Sequence, residues 1–198
     1  MEVQDKVLLA EYRRGNVGAL GQLVERYRRP LFGFILKMTE GREDADEVFQ
    51  EVWFRAIRGL GSYRDKRFLS WLFRIAHNLI IDRARKARPV VDPAGARQDG
   101  DDPADYLESR VPAAGVGPAV EVQGRDLGSR IRSAVERLPA EQREVFAMRM
   151  EGDLPFREIA RIQGVSINTA LARMHYALGK LRVELEIEYR SLAGARSA

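Results

Sequence analysis

At 198 residues and 45% hydrophobic content, the chain has room for one or two small domains with real cores. Its net charge of +4 is the difference between 33 Lys and Arg and 29 Asp and Glu, so the placement of charge says more than its sum. The absence of cysteine excludes disulfides, Cys-ligated zinc and thiol catalysis and fits a reducing cytoplasm. No apolar run approaches the ~20 residues of a membrane span, and the start MEVQDKVLLAEYRRG lacks the apolar core of a signal peptide.

No stretch alternates as a strand does, so the expected fold class is all-α. The first helix is expected over Val3 to Arg13 and the second over Val17 to Lys37. In the second, Leu20, Leu23, Val24, Tyr27, Leu31 and Ile35 line one face, and Pro30 is expected to kink or restart it. The third helix carries DADEVFQEVWFRAIRGL. Val48, Val52, Ala56 and Leu60 repeat at helical spacing with Phe49 and Trp53 beside them, while Glu47, Gln50 and Glu51 lie opposite. A polar connector, GSYRDKR, leads into FLSWLFRIAHNLIIDRARKAR, whose stripe is Leu72, Ile75, Ala76, Leu79 and Ile80. Residues 89–122 then hold prolines, glycines and acids with little hydrophobicity, the composition of a flexible acidic linker. Compact helices follow, over Leu127–Leu138 and Glu141–Met150, then FREIARIQ opened by Pro155. Gly164 ends that helix, and Ser166 caps a long one running from Ile167 to about Tyr189.

The chemistry is concentrated in two places. From Arg55 to Arg88 ten cations face only Asp65 and Asp82, interleaved with aromatics. Cations that track phosphates beside rings that stack on unpaired bases suit single-stranded nucleic acid. The bland reading is that Phe68, Trp71 and Phe73 are core and the arginines a solvated face. His77 on its own reads as structural. The acidic helix before this segment suits a different, basic partner, or merely solubility. Further on, FREIARIQGVSINTALARMHYALGKLR has helix-turn-helix grammar. Ile159 and Ala160 turn inward, Gly164 makes the tight turn, and Ala170, Met174, Leu178 and Leu181 are the buried stripe. Asn168, Thr169, Ala172, Arg173, His175 and Tyr176 form the opposite face, which fits a major groove; an ordinary helical hairpin would show the same stripe. Catalysis finds no support. There is no glycine-rich phosphate loop, no nucleophile elbow and no metal spacing, and His77 and His175 are far apart, so neither enzymatic activity nor a cofactor is expected.

Taken in order, DADEVFQE, WLFRIAHNLIIDRAR, a variable linker, ERLPAEQREVFAMRMEG and FREIARIQGVSINTALAR resemble the bacterial sigma factors of the sigma-70 family, in their small extracytoplasmic-function form. The resemblance covers roughly residues 10–185. It implies a sigma-2 domain over 1–88, a linker over 89–126 and a sigma-4 domain over 127–190. Asp46, Glu47, Gln50, Glu51 and Phe54 would bind the clamp of core RNA polymerase. Tyr63, Arg64, Lys66, Arg67, Phe68, Arg74, His77, Asn78, Arg83, Arg85 and Lys86 would melt and read the −10 element of promoter DNA. Ser166, Asn168, Thr169, Leu171, Ala172, Arg173, His175 and Tyr176 would read the −35 element. Relatives usually carry more cations on that helix; here only Arg173 is a certain one, so apolar contact with thymine methyls is expected to share the readout. An anti-sigma factor is a further partner the resemblance implies, and no membrane insertion is expected. The rivals are a stand-alone helix-turn-helix regulator, which needs neither the acidic nor the aromatic-basic helix, and a sigma-2-like interaction adaptor, which needs no basic helix.

Overall fold

The structure is a computed structural model that describes the backbone of residues 4–64, 67–87 and 123–195, with side chains for 4–64, 67–86 and 128–186. These residues form eight helices and no strand: α1 (Asp5–Arg13), α2 (Val17–Met38), α3 (Arg42–Gly59), α4 (Phe68–Ala87), α5 (Gln123–Glu136), α6 (Ala140–Gly152), α7 (Phe156–Gln163) and α8 (Ile167–Ala195). The segment 88–122, which contains nearly all of the expected linker, lies outside the described residues. α5 begins at Gln123, so residues 123–126 of the 89–126 stretch are helical.

The apolar stripes do what their spacing requires. Leu23, Leu31, Phe34 and Ile35 of α2, Val48, Val52 and Ala56 of α3, and Leu72, Phe73 and Ala76 of α4 are buried together. At about 1.5–3 kcal/mol for each large side chain removed from water, this cluster dominates the stability of the N-terminal bundle. α2 passes through Pro30 without ending, so of the expected kink or restart the restart does not occur. Proline deletes the hydrogen bond to the Arg26 carbonyl one turn back, but the turns on either side are held by buried Leu23 and Leu31. α1 is tied to the same region by Asp5, which accepts from Arg26 Nη1 at 2.6 Å and from the Tyr27 hydroxyl. Burial, with the Asp5 carboxylate beside it, pushes the Tyr27 phenol far above its usual range.

In the C-terminal helices the turn chemistry is explicit. Asp153 closes α6 with φ 45°, and Gly164 closes α7 with φ 68°, where a residue without Cβ avoids the left-handed penalty. Ser166 Oγ accepts from the Thr169 amide at 3.0 Å and caps α8. Ala170, Met174, Ala177 and Leu181 turn inward from α8.

The N- and C-terminal units pack directly against one another. α6 lies on α2 and also on α8, and α7 touches α4. Val145, Met148, Leu154 and Ile159 therefore share one core cluster with Phe34, Phe73 and Leu72. Two glycines allow the close approach. A Cβ on Gly33 would stand 2.4 Å from Glu151 Oε2, and one on Gly152 would stand 2.9 Å from Phe73 Cζ. α6 is thus buried on two sides, and for that reason its sequence shows no single apolar stripe.

Candidate polymerase and nucleic-acid interfaces

Along α3 the buried stripe forces the polar residues outward. Asp46, Glu47 and Gln50 are exposed and Glu51 is half-buried. Arg55 Nε donates to Glu51 Oε1 at 2.8 Å and holds that carboxyl below its usual range. Among these acids Phe54 leaves 60% of its surface in water, which solubility does not explain. Glu47, Gln50, Glu51 and Phe54 form one wall of an open groove of about 390 Å³, and Leu79, Asp82, Arg83 and Lys86 of α4 form the other. Arg83 crosses that groove: Nη1 donates to Asp44 Oδ1 at 2.6 Å and Nη2 to Glu47 Oε2 at 3.4 Å. This residue, expected on the −10 face, is therefore a bridge to the acidic helix.

The connector and α4 divide into core and surface. Phe68 is 2% exposed and sits among Tyr27, Trp53, Tyr63 and Trp71, with ring centroids 5.4–6.3 Å away. It cannot stack on a base, and the core reading of this aromatic replaces the expected nucleic-acid contact. Tyr63 is half-buried against Phe68 and Trp71. Arg64 is exposed and folds back on the connector, Nη1 donating to the Gly61 and Tyr63 carbonyls at 3.1 and 2.9 Å. Arg67, Asn78, Arg85 and Lys86 are exposed and Arg74 is half-buried; Lys66 lies outside the described residues.

His77 differs from its neighbours. It is 8% exposed, and its Nδ1 stands 2.5 Å from Glu144 Oε1 of α6. An ionised carboxylate only accepts, so the ring nitrogen donates. The expected DNA contact at His77 is in this state a contact between the two units. The sequence reasoning missed Glu144, which is 7% exposed and accepts on its second oxygen from Gln163 Nε2 at 2.6 Å. It also missed Lys37, whose Nζ meets Glu151 Oε1 at 2.5 Å. The available signal was the pair of acids seven residues apart on a helix rich in apolar residues.

The recognition helix α8 presents Ile167, Asn168, Leu171, His175 and Tyr176 to solvent, with Thr169 and Ala172 half-buried and Ser166 exposed at the cap. Arg173 is half-buried, and its Nη1 donates to Gln163 Oε1 at 2.8 Å. A turn-joined helix pair thus projects a mixed apolar and polar face, with Arg173 braced from α7.

Residues 23–90 match the family described as sigma-70 region 2 and residues 129–181 the family described as sigma-70, region 4. The ECF RNA polymerase sigma factor SigM of Mycobacterium tuberculosis (strain ATCC 25618 / H37Rv) is 33% identical over 182 residues, 91% of this chain and 84% of that protein. The chain belongs to the extracytoplasmic-function group of sigma-70 factors. As a sigma factor of this group it binds core RNA polymerase and promoter DNA and directs transcription initiation. The corresponding factor SigW of Bacillus subtilis (strain 168) is 28% identical over 188 residues, 93% of this chain and 98% of SigW. The solved structure of CnrH in complex with the cytosolic domain of CnrY shares the sigma-factor fold, with a TM-score of 0.64 at 24% identity over 92% of this chain and 97% of that one. Among the described residues no helix of this sigma factor is long and apolar enough to cross a membrane.

Proposed function

We propose that the labour divides along the chain. Residues 1–88 dock on the polymerase clamp and open the −10 element, and 127–190 read the −35 element, with 89–126 spanning between. Docking is assigned to Asp46, Glu47, Gln50, Glu51 and Phe54. Melting and single-strand capture are assigned to Tyr63, Arg64, Lys66, Arg67, Arg74, His77, Asn78, Arg85 and Lys86. Upstream readout is assigned to Ser166, Asn168, Thr169, Leu171, Ala172, Arg173, His175 and Tyr176. The observation that carries this division is the exposed Phe54 among the acids of α3, across an open groove from Arg83 and Lys86 at the basic end of α4. An apolar anchor ringed by carboxylates suits a basic protein surface and repels nucleic acid.

In this reading the factor works in the cytoplasm and catalyses nothing. The polymerase supplies the chemistry, and each captured unpaired base offsets melting by about 1–3 kcal/mol. CnrH was solved with a second protein bound to it, and we extend that to an anti-sigma factor as a partner here.

The test is a fluorescence titration of the labelled chain with purified core polymerase. Replacing Glu47 and Glu51 with Lys and Gln50 with Ala is expected to weaken binding by several kcal/mol in sum, while circular dichroism stays native, because none of the three belongs to the buried stripe of α3. Unchanged affinity in a folded triple variant would refute the assignment of α3.

A further inference from the structure

We propose that Gln163, the last residue of α7, is a positioning residue for upstream readout: it aims the guanidinium of Arg173 at a base edge in the major groove. The proposal rests on the reading of α8 as the −35 helix given above. Arg173 is the one Lys or Arg between Ser166 and Tyr176, so the helix has a single guanidinium to aim. Gln163 Oε1 accepts from Arg173 Nη1 at 2.8 Å. On its other side Gln163 Nε2 donates to Glu144 Oε2 at 2.6 Å and to the Glu141 carbonyl at 3.2 Å. All of these residues belong to α6, α7 and α8, so the brace is internal to the C-terminal unit.

The amide has one orientation here. Turned over, it would set its N–H groups against the guanidinium donors and its carbonyl against two acceptors. Glu144 is 7% exposed and keeps its carboxylate behind the amide, which polarises the amide carbonyl towards Arg173. The backbone is fixed as well, because Gly164 follows at φ 68° and sets the turn between α7 and α8. Nη1 is thereby engaged, and the Nε–Nη2 edge is the one left for DNA. Two parallel N–H donors match the paired acceptors O6 and N7 of guanine. A long side chain ordered before binding gives up less freedom on contact. A planar fork held in one attitude also discriminates by geometry, as a mobile ammonium does not. A glutamine that merely ended α7 would need neither Arg173 nor a buried carboxylate.

The test sequences a fully randomised duplex pool before and after retention by core RNA polymerase loaded with the full-length chain. Base preference is read at each position of the recovered upstream motif. The wild-type chain is expected to prefer guanine at one position of one strand by about five-fold or more, the lower end for a bidentate contact. Arg173→Ala abolishes that preference and leaves the neighbouring positions alone. Gln163→Met, of similar length but without the amide, abolishes the same preference and spares the rest. In the Arg173→Ala background Gln163→Met changes nothing further, since the two residues act as one unit. A glutamine with a purely structural role would instead lower retention of every sequence alike. Should Gln163→Met not fold, Gln163→Ala carries the same comparison. A guanine preference that survives loss of the amide, or a uniform loss across positions, overturns the positioning role while Arg173 remains the reader. No upstream motif with the wild-type chain, or one untouched by Arg173→Ala, overturns the reading of Arg173 on α8 and the proposal with it.

Discussion

The contact between His77 and Glu144 gives the sharpest energetic expectation. Replacing His77 with Phe keeps a planar aromatic ring, larger than imidazole, and deletes one donor. The Glu144 carboxylate, 7% exposed, is then left with Gln163 Nε2 alone. A hydrogen bond to a charged group contributes about 1.5–3 kcal/mol, and the stranded carboxylate cannot recover it from water. Because one apolar cluster joins the two units, the chain is expected to unfold as a single cooperative body. At about 2–4 °C per kcal/mol for a domain of 150–250 residues, Tm should fall by ~3–12 °C. Glu144→Ala removes the bond to Gln163 as well and should cost more, about 3–6 kcal/mol at the same rate per hydrogen bond. The double variant should cost less than the sum, with a coupling of at least ~1.5 kcal/mol. Urea unfolding followed by circular dichroism, with the slope checked for constancy, measures all four corners of the cycle. A coupling below ~0.5 kcal/mol in variants with native helicity would show that the pair does not hold the units together.

Other expectations are narrower. Arg173→Ala should weaken binding to an upstream duplex by ~1–3 kcal/mol if the guanidinium reads a base edge, and by less if it meets phosphate; a gel-shift titration at fixed salt separates the two. Gly164→Ala places a Cβ at φ 68° and should cost about 1–2 kcal/mol in thermal stability. The Tyr27 phenol is raised in the folded chain relative to its ordinary value of 10.0. Its contribution is therefore complete below pH ~10 and is lost as pH climbs towards the folded value. Tyr27→Phe should flatten that alkaline loss in a series of melts from pH 8 to 12.

Much of this was legible in the residues. The spacing of Val48, Val52, Ala56 and Leu60 identified the inner face of α3 and so the outward acids. Gly164 and Ser166 announced the turn between α7 and α8, because a left-handed φ and an N-cap each favour few residue types. The limits were also physical. Phe68 sits in a segment dense with cations, and composition alone does not tell a stacking aromatic from a buried one. Pro30 reads as a break unless the tertiary packing that spans it is known. Pairs such as His77 with Glu144 and Lys37 with Glu151 are 67 and 114 residues apart, and no local periodicity encodes them. α6, buried on both sides, carries its contacts to α2 and α8 in one short sequence whose two stripes cancel.

The central claim is that this chain gives core polymerase its promoters. The direct measurement is transcription from a library of fragments of the source genome by purified core enzyme with and without the chain, with permanganate mapping of open thymines at the start sites. The account predicts a discrete set of starts that share upstream and −10 motifs, with thymines reactive only when chain and polymerase are both present. Transcripts identical with and without the chain, or duplex binding by the chain with no polymerase-dependent melting, would contradict it and leave a helix-turn-helix regulator in its place.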